Sequence, residues 1–317
     1  MRRWTLILIL CGSAAATGLA VAAKVRRDAA RNTLVAMVAA EENGTYTAEV
    51  RVRERREGQE REHRFRVVRA GGRTSIDSVG EPKERRGGTD HRRRGGGPMM
   101  GPSRSRVPIT DVDLVLQNYH VAVEGDESVA GRAARRIAVR PKFPGRPSCT
   151  LWIDRERSLL LKYETQDRTV ETLSLSFEAK APERKGWSRS HERREVSLAD
   201  LPGAVGFPVA VPTWLPKGFR FHRATVSRRE SVESLQLLYT DGLAVVSVLE
   251  NPEGSEWGRS WNWLKRKDDA CRAGRISREG RTMLTVSLEG VVVTVAGSIP
   301  EKELVDLLGS MELRRKP

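Results

Sequence analysis

The chain switches between two hydrophobic periods, and the switches outline its elements. Asp28 is followed by apolar residues at Ala30, Leu34, Met37 and Val38, which is helical spacing, with Gly44 as a stop. From Thr45 the period becomes two. Tyr46, Ala48, Val50 and Val52 alternate with Thr47, Glu49, Arg51 and Arg53, and a second alternating run lies around Phe65 to Val68, beyond a turn at Glu57-Gly58-Gln59. This predicts a helix feeding an antiparallel hairpin with one wet face, since alternate side chains of a strand point to opposite sides. A helical turn at Leu114 to Tyr119 leads into predicted strands at 120–123, 134–139, 149–153, 159–165 and 169–177. Short strands at such intervals imply an antiparallel, strongly curved sheet. A second set of strands falls at 219–227, 234–239, 243–249, 282–288 and 291–296. A helix follows it, opened by a capping box at Ser298-Ile299-Pro300-Glu301 and striped by Leu304, Leu307, Leu308 and Met311.

The polar stretches divide these elements into domains. Residues 1–23 read as a leader: Arg2 and Arg3 precede an uncharged run that ends in Ala20-Val21-Ala22-Ala23, the form of a secretory signal. An uncleaved membrane anchor is the competing reading, because the run from Trp4 to Ala23 can also span a bilayer. Either way the bulk of the chain is exported. Residues 24–180 are expected to form a first domain, 181–206 a polar linker, and 207–317 a smaller second domain. Within the first, Gly80 to Arg106 holds seven glycines, three prolines and eight basic residues and no aromatic. Such a segment buries too little apolar area to offset its ordering entropy, so it is expected to be a mobile loop.

Charge and chemistry narrow the function. The net charge of +15 leaves anionic partners open. A nucleic-acid partner is not expected, since the Arg/Gly runs lack aromatic platforms for bases and the chain is exported. Beyond the leader only Cys149 and Cys271 remain, and they form either one bridge or two separately buried thiols. His63, His91, His120, His191 and His222 are scattered singly, so no metal is expected, and no cofactor motif is present. No nucleophile with its base is recognisable, which argues against an enzyme. Asp111 and Asp113 precede an apolar run, as acids at a helix start do.

Three groups of residues are candidates for binding. Trp257, Trp261 and Trp263 lie beside Lys265, either as core or as an aromatic-basic surface for a membrane or a protein. Arg132, Arg135, Arg136 and Arg140 form a basic run in which Arg136 and Arg140 share a strand face; this is either a solvated face or an anion site. Leu159, Leu161 and Tyr163 share the face of one strand, with Trp152 on the preceding one, and either fill the core or line an apolar pocket of an open sheet.

Several stretches together resemble one family. Leu116-Gln117-Asn118-Tyr119, Val129-Ala130-Gly131-Arg132, Leu151-Trp152-Ile153-Asp154 and Leu159-Leu160-Leu161-Lys162 are similar to the RseB/MucB family of periplasmic sigma-E regulatory proteins. In the second domain Leu215-Pro216-Lys217-Gly218-Phe219, Tyr239-Thr240-Asp241-Gly242-Leu243 and Val293 to Pro300 extend the likeness. Arg157-Ser158 departs from the Thr-Gly turn usual in that family. The resemblance implies an α+β fold: a half-open, LolA-like antiparallel β-barrel with helices, followed by a smaller α+β domain. It further implies a periplasmic, non-enzymatic regulator that binds the periplasmic segment of a membrane-bound anti-sigma factor and senses an anionic lipid or lipopolysaccharide-like amphiphile. A periplasmic lipid or lipoprotein carrier is the alternative, and self-association into a homo-oligomer is left open.

Overall fold

The computed structural model describes residues 27–56, 58–80, 107–180, 191–229, 232–255, 274–278 and 281–314. The leader, most of the Arg/Gly segment, Trp257, Trp261, Trp263, Lys265 and Cys271 lie outside the described residues.

The first domain is one antiparallel sheet with helices on one side. Helix α1 spans 27–43 and buries Ala30, Leu34 and Met37, the residues whose spacing predicts it. Strands β1 (Tyr46–Arg56), β2 (Gln59–Ala70) and β3 (Arg73–Ser78) follow as hairpins. Tyr46, Ala48, Val50 and Val52 face inward as expected. Across the hairpin Arg53 faces Glu62, Glu54 faces Arg61 and Arg55 faces Glu60, so opposite charges favour this register. Helix α2 (Val112–Asn118) starts where Asp111 accepts a hydrogen bond from the Leu114 N–H at 2.9 Å, so the acid caps a helix. It leads into β4 (Tyr119–Val129), β5 (Arg132–Pro141), β6 (Cys149–Asp154), β7 (Leu160–Glu164) and β8 (Arg168–Ser176).

The eight strands lie in the order β3-β2-β1-β8-β7-β6-β5-β4. The end strands β3 and β4 are not paired with each other, which makes the sheet a half-open barrel. Leu34 and Met37 of α1 and Val115 of α2 pack with Tyr119, Ile137, Val139, Cys149, Leu151, Ile153 and Leu160 on its helix-covered face.

The second domain carries the strands β9 (His191–Val196), β11 (Arg220–Arg229), β12 (Val232–Thr240), β13 (Val245–Pro252), β14 (Gly274–Arg278), β15 (Arg281–Leu288) and β16 (Val291–Gly297) in the order β14-β15-β16-β13-β12-β11-β9. A two-stranded sheet of β10 (Val209–Pro212) and β17 (Met311–Arg314), together with α3 (Leu201–Ala204) and α4 (Glu301–Gly309), encloses a core around Leu235, Leu237, Val246, Val248, Val293 and Leu304. The α+β class agrees with expectation.

Three local expectations are corrected. The stretch 181–206 is not linker throughout. β9 pairs with β11 from Val196 opposite Ala224 onward, and Leu201, Ala204 and Val205 are buried in the second core. An edge strand is held by backbone hydrogen bonds and needs no apolar alternation, so its charged sequence hides it. The capping box at Ser298 does not form either: Pro300 stands at the N-cap of α4 and no side chain caps it. The stripe of that helix also stops early, because Met311 begins β17.

Candidate functional site

The two domains meet in a buried polar joint, and this is where charge, burial and hydrogen bonding concentrate. From the first domain come Thr110, α2 with Tyr119, and the Pro-rich loop between β5 and β6. From the second come the β12–β13 turn, Gly218-Phe219 and the first turn of α4. Asn118 donates from Nδ2 to the carbonyl oxygens of Gly218 at 3.0 Å and Asp241 at 2.9 Å. The Tyr119 hydroxyl donates to Asp241 Oδ2 at 2.9 Å. The Thr110 N–H donates to the Gly242 carbonyl at 2.8 Å, and the Thr110 and Thr240 hydroxyls lie 2.6 Å apart.

Two glycines permit this fit. A Cβ on Gly242, at φ +105°, would lie 2.5 Å from the Val115 nitrogen, and one on Gly218, at φ +86°, 2.5 Å from Asn118 Oδ1.

Arg146 closes the joint. Its side chain is 1% exposed; Nε lies 3.5 Å from Asp241 Oδ2 and Nη1 2.6 Å from Glu303 Oε2. The guanidinium also stacks 5.1 Å from the Phe219 ring centroid. Asp241 is fully buried, and its Oδ1 accepts from the Leu243 and Ala244 N–H groups at 3.1 and 2.7 Å. Burial pushes its carboxyl up, opposed by those two amides, the Tyr119 hydroxyl and Arg146. Burial, reinforced by the neighbouring Asp241, pushes the Tyr119 phenol up and keeps it a donor. Chemically this arrangement holds two bodies in one orientation: each of these groups serves as donor, acceptor or counter-charge to another. Among the described residues no cluster of His, Cys, Asp and Glu has the arrangement of a metal site.

The sequence-predicted pocket residues do not line one face. β7 shifts register against β6, with Trp152 opposite Lys162 but Ile153 opposite Leu160, so Leu161 is an extra residue that breaks the alternation. Leu159 is buried with Tyr46, Val50 and Val170, and Tyr163 packs beside them. Leu161 is buried instead with Val129, Ala134 and Trp152. The buried Glu41 carboxylate, which accepts from the Leu160 N–H at 3.0 Å and the Tyr46 hydroxyl at 2.7 Å, anchors β7 at the end of α1. Trp152 donates to Glu127 at 2.8 Å, with Lys162 Nζ 4.2 Å and the Arg136 guanidinium 5.6 Å from its ring.

Arg132, Arg136 and Arg140 do share one side of β5, as their parity predicts. Carboxylates already meet them on that side. Arg132 pairs with Asp154 and Glu156, Arg136 with Glu124 and Glu127 at 3.0 Å each, and Arg140 lies 4.0 Å from Glu124. Burial opposes ionisation of Asp154, yet Arg132 with the Arg157 and Glu156 N–H groups holds its carboxyl below the usual range. Cys149 is buried, and burial pushes its thiol up to about 12, the behaviour of an inert core residue.

The comparisons with known proteins agree with this architecture. Residues 102–177 match the family model of the MucB/RseB N-terminal domain. The sigma-E factor regulatory protein RseB of Escherichia coli K12 is 26% identical over 207 residues, covering 60% of this chain and 58% of the relative; RseB of Shigella flexneri matches equally. The resemblance to the RseB/MucB family holds. The chain matches only 58% of the length of these RseB relatives. Among solved structures, MucB in complex with MucA(peri) superposes with a TM-score of 0.51 at 19% identity, covering 90% of this chain and 100% of that one. The Pseudomonas aeruginosa MucA/MucB complex gives 0.51 at 18%, covering 91% and 99%. The likeness in fold to MucB extends over both domains. The Tyr-Thr-Asp-Gly-Leu stretch that carries part of the RseB/MucB resemblance is the β12–β13 side of the joint, with Asp241 at its centre. In the sequence this stretch stands out only through that resemblance, and nothing marks Arg146, a lone cation between Pro144 and Pro147.

Proposed function

We propose that the protein is an exported, periplasmic, non-enzymatic regulator that binds the periplasmic segment of a membrane-bound anti-sigma factor. The observation that carries this reading is the match in fold, over nine-tenths of the chain and both domains, to MucB taken from a complex with MucA(peri). The curated relatives named as sigma-E regulators support it. The half-open sheet, with β3 and β4 unpaired with each other, supports a further part of the proposal: an anionic amphiphile meets the first domain and shifts the balance between bound and free partner. A ligand releases a partner only by binding the free form better, so the two affinities must be linked. The basic balance of the chain favours both an acidic partner segment and an anionic headgroup.

The test uses the chain from Lys24 onward, immobilised and exposed to envelope extract, with bound proteins and lipids identified together. Recovery of a single-pass anti-sigma factor, lost on addition of phosphatidylglycerol micelles, is the expected result. Lipid or lipoprotein recovered without such a partner overturns it in favour of a carrier.

A further inference from the structure

We propose that α2 and Tyr119 couple the helix-covered core of the first domain to the second domain, so that a shift in one is felt in the other. The same residues belong to both. Val115 and Tyr119 pack with Leu34 and Met37 of α1 and with Ile137, Leu151 and Leu160 of the sheet. Val115 also sits directly against Gly242, the Tyr119 hydroxyl is bound to Asp241, and Asn118 is bound to Gly218 and Asp241. Leu243, a residue of the second domain, packs against the first domain's core rather than its own.

Two features make the connection stiff. Where Gly242 faces Val115 and Asp111, and where Gly218 faces Asn118, there is no space for even one added carbon. α2 therefore cannot slide against the β12–β13 turn; the two move together or separate. Arg146 opposes separation, because parting the domains breaks its ion pairs with both Asp241 and Glu303. A close-packed contact of this kind transmits displacement rather than absorbing it. Anything that enters between α1 and the sheet acts on Val115 and Tyr119, and so on the Asp241 turn. By linkage, anything that grips that turn acts on the core. The proposal holds whatever partner the second domain takes.

Native-state hydrogen exchange on the full chain tests it. The reporters are the Leu243 and Ala244 amides, both held by Asp241, compared with Val295 in the second domain's own core. Met37→Ala opens a cavity in the shared core, and Val50→Ala opens one in the separate cluster around Tyr46. Met37→Ala is expected to speed exchange at Leu243 and Ala244 by about tenfold relative to Val295, with Val50→Ala leaving that ratio within about twofold. Gly242→Ala probes the reverse direction and is expected to speed exchange at the Tyr119 amide, which α2 holds through the Val115 carbonyl. If Gly242→Ala does not fold, the Met37 and Val50 pair decides alone. Equal ratios in Met37→Ala and Val50→Ala overturn the coupling. Partner capture is a separate readout, so this outcome leaves the proposed function standing, and failed capture leaves the coupling standing.

Discussion

Arg136 and Arg146 are the same residue type in the same domain, and each has two carboxylates within reach, yet they do different work. Arg136 lies on an open sheet face with its side chain 38% exposed, among Arg132, Arg140, Glu124 and Glu127. Water reaches Arg136, Arg140, Glu124 and Glu127, and Glu124 serves both Arg136 and Arg140. Arg146 stands between Pro144 and Pro147 with 1% exposure, facing a fully buried Asp241 and a partly covered Glu303. Removed from solvent, it has no substitute. The number of arginines in a stretch therefore says little about their weight; whether the counter-charge can find water decides it.

The largest effect is expected where the comparison is broken on the buried side. Arg146→Ala leaves the Asp241 carboxylate buried without its cation, which costs about 3–5 kcal/mol of folding stability. Arg146→Lys restores charge but neither the planar fork nor the stacking on Phe219, and is expected to recover less than half of the loss. Urea denaturation of the three proteins measures both. A loss below about 1 kcal/mol for Arg146→Ala would place it beside the surface arginines.

A second buried carboxylate sharpens the same comparison from the other direction. Glu250 is fully buried in the second core, where Oε2 accepts from the Ala210 N–H at 2.8 Å and Oε1 meets no hydrogen-bond partner among the described residues. Among the described residues no arginine pairs with it as Arg146 does with Asp241, and burial pushes its carboxyl up to about 8. The folded state thus holds this proton more tightly than the unfolded chain, whose value is near 4.5. The contribution to stability is complete below about pH 4.5 and is lost as pH rises toward 8, with a slope of up to about 1.4 kcal/mol per pH unit. Glu250→Gln keeps an acceptor for Ala210 and cannot ionise, so its stability between about pH 5 and 8 should be flatter than that of the parent by that slope. Parallel curves for the two proteins would show that Glu250 is ionised when folded.

Much of the fold was legible because it rests on periodicity. Tyr46, Ala48, Val50 and Val52 alternate, and they are the inward residues of β1; Ala30, Leu34 and Met37 are the buried stripe of α1. Periodicity failed where one residue was added or where none was required. The bulge at Leu161 turned a predicted shared face into two, and β9 is held by main-chain bonds that its charged side chains do not announce. The joint was harder to see for a different reason. Asn118, Tyr119, Arg146 and Asp241 come from three separate places in the chain, and nothing local marks them as neighbours. Three stretches, Leu116 to Tyr119, Leu215 to Phe219 and Tyr239 to Leu243, hold parts of it, and they stood out through resemblance rather than through their own chemistry.

The smallest effect is expected on the exposed face, and it guards the comparison against a trivial reading. Were any lost arginine costly, the contrast with Arg146 would mean nothing. Arg136→Ala removes contacts to Glu124 and Glu127 and uncovers one side of the Trp152 ring. Both carboxylates can turn to water, and Lys162 still covers the ring at 4.2 Å. The ion pairs are therefore worth about 0–1 kcal/mol, and the exposed cation–ring contact about 0.5–1 kcal/mol. The Trp152 indole N–H resonance, followed by NMR, adds a second, more local readout. The indole still donates to Glu127, so that resonance should shift only slightly as water reaches one ring face, while the urea midpoint barely moves. A destabilisation matching that of Arg146→Ala would make the β5 arginines structural anchors in their own right, and burial would no longer be what separates the two sites.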